Sequence, residues 1–153
     1  MWRDSDSDSS DNTVYHNQGT SCLSCHKAPA TGAEGYSFLS GGTIYTELNA
    51  TTAAQYATGY TIRALLDTNL SINYISGRGY GNSRSQDTAL SNDYNFTAQV
   101  VNSSGVVVNS SATNSHSTAS NLDCNVCHTA AGANGAPGRI HIATPVVTSG
   151  TPL

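Results

Sequence analysis

The chain has 153 residues and a mass of 15.9 kDa, which favours one compact unit or one small domain with appended segments. Only 10% of residues are Asp, Glu, Lys or Arg, and six basic against ten acidic residues leave a net charge of −4. A groove for nucleic acid, which needs clustered cations, is not expected, and no apolar run approaches the roughly 20 residues of a membrane-spanning helix.

Residues 1–12 form an acidic Ser/Asp-rich segment expected to be mobile. It begins Met1-Trp2-Arg3-Asp4 without a secretory leader. Residues 13–35 carry His16 and then Cys22-Leu-Ser-Cys25-His26. Residues 36–112 change in texture, with alternating or β-branched runs at 42–48, 60–66, 70–75, 94–101 and 105–110. The last two flank Asn102-Ser-Ser-Gly105 and read as a hairpin. Gly-rich residues 76–86 lack the order of a phosphate loop and read as a connection. Residues 113–139 repeat the earlier arrangement loosely, with His116 followed by Cys124-Asn-Val-Cys127-His128. Ser21 and Asp123 precede the two Cys turns and are expected to cap them. The final segment, 140–153, begins Ile140-His141-Ile142 like a short exposed strand. It is expected to be available for an inter-subunit contact. The fold expected is mainly β: a small Ig-like β-sandwich insert flanked by two coil-rich cofactor-binding segments.

Both Cys-x-x-Cys pairs are followed directly by His, the pattern of haem c attachment. One helical turn sets two thiols on one side to add to the haem vinyl groups, and the next imidazole then lies under the iron. Zinc knuckles are usually about 15–20 residues apart, whereas 98 residues separate Cys25 from Cys124. Neither zinc nor two disulfides would account for both histidines, and a thioredoxin-type motif lacks its βαβ setting. Two haem c groups are expected on Cys22, Cys25, Cys124 and Cys127, with His26 and His128 as proximal ligands. Hydrophobic residues make up only 37% of the chain, so the haems are expected to supply part of the interior. Haem c is attached outside the cytoplasm, which implies an exported and then processed or truncated chain. The expected location is extracellular, with the periplasm as alternative.

The only methionine is Met1, so His/Met ligation is not expected. His116, His16 and His141 remain as distal candidates for two irons. Bis-histidine ligation implies low reduction potentials and filled coordination, which suit electron transfer rather than enzymatic turnover.

Two Cys-x-x-Cys-His sites, an all-histidine ligand set, a Ser/Thr/Asn/Gly-rich chain and an Ig-like insert resemble the secreted multihaem cytochromes c of metal-respiring bacteria and archaea. The stretch from Asn114-Ser-His116 through Cys124-Asn-Val-Cys127-His128 to Arg139 is similar to the C-terminal haem segment of that group. Some of its members polymerise into extracellular filaments, the cytochrome nanowires, in which a histidine of one subunit can ligate a haem of the next. The resemblance implies a homopolymer passing electrons from redox partners to extracellular acceptors, and ligand counting then makes His16 or His141 the ligand expected in trans, with His116 in cis. The alternative is a monomeric electron shuttle between larger redox partners. Few charges and no steering patch favour the polymer, because transient partners usually meet through an oriented charged face.

Overall fold

A computed structural model describes residues 18–26, 39–52, 55–76, 81–120 and 122–142. The expectations for the acidic segment 1–12, for His16 and for the tail beyond Ile142 lie outside the described residues.

The fold is mainly β, with nine short strands in two sheets among the described residues. In chain order they are β1 (Ser40–Tyr45), β2 (Tyr60–Leu66), β3 (Ser71–Asn73), β4 (Ile75–Ser76), β5 (Asn82–Ser85), β6 (Asn95–Asn102), β7 (Val107–Ser110), β8 (His116–Ser117) and β9 (Ile140–His141). Among the described residues the α-helices are the single turns α1 (Leu23–His26) and α2 (Cys124–Cys127), and Thr88–Ser91 form one 3-10 turn. One sheet runs β4-β5-β1-β9 and the other β3-β2-β6-β7, with β8 also paired to β6. No helix among the described residues is long and apolar enough to cross a membrane.

Strand β2 shows the period of two that a sheet with one buried face requires: Ile62, Ala64 and Leu66 point inward. Their partners on β6 are Val100, Ala98 and Phe96, so six apolar side chains share that face. Ile44 of β1 and Ile140 of β9 join them from the other sheet. The expected hairpin is β6–β7. Asn102 N donates to Val106 O (2.9 Å) and Gly105 supplies the left-handed corner (φ +77°). The run at 70–75 is broken at Tyr74: β3 pairs with β2, whereas β4 pairs with β5 in the other sheet. Buried Tyr74 marks this change of sheet and shares a hydrogen bond with Ser40 Oγ (2.5 Å).

Two expectations are corrected. Within 76–86, read as a connection, residues 82–85 form β5, antiparallel to β1. Asn-Ser-Arg-Ser has little strand propensity. Pairing with β1 outweighs it, and the Ser83 hydroxyl joins the two sheets by bonding Thr61 Oγ1 (2.8 Å) and Ile62 N (3.1 Å). Ile140-His141 is neither exposed nor unpaired. It lies parallel to β1, with Ile44 opposite Ile140 and Tyr45 opposite His141, and both residues are 5% exposed. Strands β8 and β9 thus bring residues beyond 112 into the sheets, and the second Cys-x-x-Cys-His turn lies between them in sequence.

Candidate functional site

Turn α2 rests on β1. Gly41 N donates to Leu122 O (3.1 Å), Thr43 N donates to Asn125 Oδ1 (3.0 Å), and Asn125 Nδ2 returns a bond to Thr43 Oγ1 (3.0 Å). Gly42 makes this approach possible: a Cβ there would lie 2.6 Å from Cys124 Cβ. The turn closes with His128 N donating to Cys124 O (2.9 Å). The following loop, through Asn134 to Pro137, folds back over it.

Between that loop and the inner face of β6 lies a cavity of about 370 Å³. Its wall includes Cys124, Cys127, His128, His116, Phe96 and Val100. This size falls within the range of about 300–1,000 Å³ usual for cofactor pockets. The cavity opens onto the sandwich core itself, through Ile62, Tyr74 and Ile140.

His128 is 7% exposed, and its Nδ1 donates to the carbonyl of Gly138 (2.8 Å). That bond fixes the tautomer and leaves the Nε2 lone pair for a metal, the usual second contact of a ligating histidine. His116 stands on β8 opposite Phe96, whose ring lies 5.2 Å from its own. Its Nδ1 is hydrogen-bonded to Ser115 Oγ (3.1 Å). The His116 and His128 rings are 6.2 Å apart, centroid to centroid, with planes inclined by 18°. One metal held by both through bonds of about 2.0–2.1 Å would place the centroids about 6.3 Å apart. That spacing, with Cys124 and Cys127 on the same cavity wall, is a donor set of the kind a covalently attached haem would use.

Electrostatics suit the same arrangement. Burial, with neighbouring His128 adding to it, pushes the His116 imidazole down to about 4. Burial also lowers His128, against the pull of the Gly138 carbonyl, and His141 adds to the lowering. Both rings are neutral at pH 7, the form that ligates metal. Burial and then the Asp123 carboxylate push the Cys22 thiol up to about 12. Cys124 is also raised, by burial first and then by Cys22 and Asp123. Such protonated thiols differ from the electropositive thiolates of redox-active cysteines. Among the described residues no group of three or more His, Cys, Asp or Glu is placed to hold a metal ion.

The first motif is built alike, as the single turn α1 with His26 N donating to Cys22 O (3.1 Å). His26 is 8% exposed. Of the distal candidates, the structure brings His116 opposite His128, while His141 is not on the cavity wall and His16 lies outside the described residues. Ser21 caps its own turn, its Oγ accepting from Ser24 N (3.2 Å). Asp123 does not: its side chain makes no cap bond to α2. The roles of Phe96, Gly138 and Gly42 carry no local motif; a Gly-Gly pair inside a strand is the one signal of close backbone approach.

No protein family matches this chain, and neither a curated protein nor a solved structure does.

Proposed function

We propose that this chain is a dihaem c-type cytochrome whose function is electron transfer outside the cytoplasm rather than catalysis. The observation that carries this reading is His116 facing His128, 6.2 Å apart, across a cavity also walled by Cys124 and Cys127. When bound, each haem supplies an iron that takes up and returns one electron. The chain's own residues do the rest. Cys124 and Cys127 anchor the macrocycle, and Gly138 orients His128 through Nδ1. Phe96 backs the His116 ring, and the inner faces of β2 and β6 keep water from one side of the pocket. Ligation by both His116 and His128 would leave an iron no free position for oxygen or peroxide, and without a methionine ligand its potential would be low. Cys22, Cys25 and His26 would hold the second group, as the matching motif implies.

The form we favour is a homopolymer that conducts along stacked haems to extracellular acceptors. With His116 opposite His128 and His141 buried in β9, His16 becomes the candidate for the His26 iron, from its own subunit or a neighbour's. The test is mass and spectroscopy on secreted protein. The polypeptide should carry two haems that acid acetone does not release, both low-spin. His116→Ala should turn one of the two high-spin and open it to carbon monoxide. A single-haem mass, or a fully low-spin His116→Ala protein, refutes the assignment. Negative-stain microscopy separates polymer from shuttle: wild-type protein that stays monomeric with two bis-histidine haems is the shuttle.

A further inference from the structure

Asp123 occupies the N-cap position of α2 yet makes no cap bond to that turn. Its carboxylate is spent on the other attachment turn. Oδ1 accepts from Cys22 N (3.2 Å), Oδ2 accepts from Leu23 N (3.2 Å), and Ser21 Oγ also donates to Oδ2. The first two amides are among those that a helix start leaves without an internal partner. Next to it, Asn125 is 3% exposed and reaches the same segment, with Nδ2 donating to Thr20 O (2.8 Å) and lying 3.5 Å from Cys22 Sγ. Its Oδ1 is held meanwhile by Thr43 N of β1 (3.0 Å). Two side chains flanking Cys124 therefore grip the residues flanking Cys22, about a hundred positions away in the chain.

We propose that Asp123 and Asn125 form a clamp that fixes one haem-attachment turn upon the other, so that the two haems are one coupled pair. This rests on the dihaem reading above and adds to it the residues that set the relation between the groups. Both are positioning residues, since neither is placed to ligate iron. A charged acceptor bonding two amides is stronger than a neutral one, and burial of Asn125 leaves its amide no water to turn to. Electron exchange falls steeply with edge-to-edge distance, so the groups that hold the turns together also hold the exchange rate.

The test uses the holoprotein and reads the Soret circular dichroism, where two close, rigidly oriented haems give a two-signed couplet. Mass spectrometry on the same samples counts the haems. Wild type should show the couplet. Asp123→Ala and Asn125→Ala should keep two haems and low-spin iron while losing at least half of the couplet amplitude. Asp123→Asn, which retains one oxygen acceptor, should fall between. Should Asp123→Ala shed a haem, the isosteric Asp123→Asn carries the test, and it must still show a reduced couplet. Two haems with a wild-type couplet in all three variants, or two haems with no couplet in wild type, overturns the clamp and leaves the dihaem reading standing. A mass lacking two haems in wild type overturns both.

Discussion

Gly42→Ala probes how closely an attachment turn is seated on the sheet. The added Cβ would meet Cys124 Cβ at 2.6 Å, Cys124 Sγ at 3.2 Å and Ile62 Cδ1 at 3.2 Å. Ordinary carbon contacts lie at about 3.5–4.0 Å. The end of Ile62 can swing aside, but Cys124 Cβ is fixed to its backbone, so α2 must rise by about 1 Å to reach that contact distance. Rising loosens the two bonds between Thr43 and Asn125, both 3.0 Å, each worth about 1 kcal/mol. Overpacking of this kind typically costs about 1–3 kcal/mol, and we expect about 2 kcal/mol. Urea denaturation should show a lower midpoint at unchanged slope, together with incomplete occupancy at Cys124 and Cys127. Gly105→Ala is the control: nothing lies within 4 Å of its added Cβ and φ is +77°. It should cost about 1–2 kcal/mol through backbone strain and leave haem content untouched. A Gly42→Ala protein as stable as wild type, with both haems, would refute the close seating of α2.

Phe96→Ala removes a ring that is 2% exposed and backs His116. It should destabilise by about 3–5 kcal/mol and broaden the spectrum of one low-spin haem. A loss of stability without that spectral change would separate core packing from ligand support. In polypeptide prepared without haem, the folded-state value of His116 lies near 4 against an ordinary 6.5. The unfolded chain then binds more protons between these values. Stability should be complete above pH 6.5 and decline as pH falls toward 4. A denaturation midpoint flat across that window would show that His116 is not buried as a neutral ring.

Local chemistry made much of this protein legible in its residues. Cys-x-x-Cys-His is a contiguous pattern whose meaning lies in one helical turn, and α1 and α2 are such turns. Alternation made β2 and β6 legible for the same reason, because a strand with one buried face must repeat every two residues. Strand β5 was not legible, since Asn-Ser-Arg-Ser has no alternation of its own and is a strand only beside β1. Nor could three similar histidines be told apart by counting. His116 faces His128 because β8 pairs with β6 at Phe96, and His141 is withdrawn because β9 pairs with β1 at Tyr45. Asp123 reads locally as the cap of the turn that follows it, yet its carboxylate bonds amides about a hundred residues earlier in the chain. In each case the deciding partner is distant in sequence, and only the packing of two sheets brings it within the 3 Å or so over which a hydrogen bond acts.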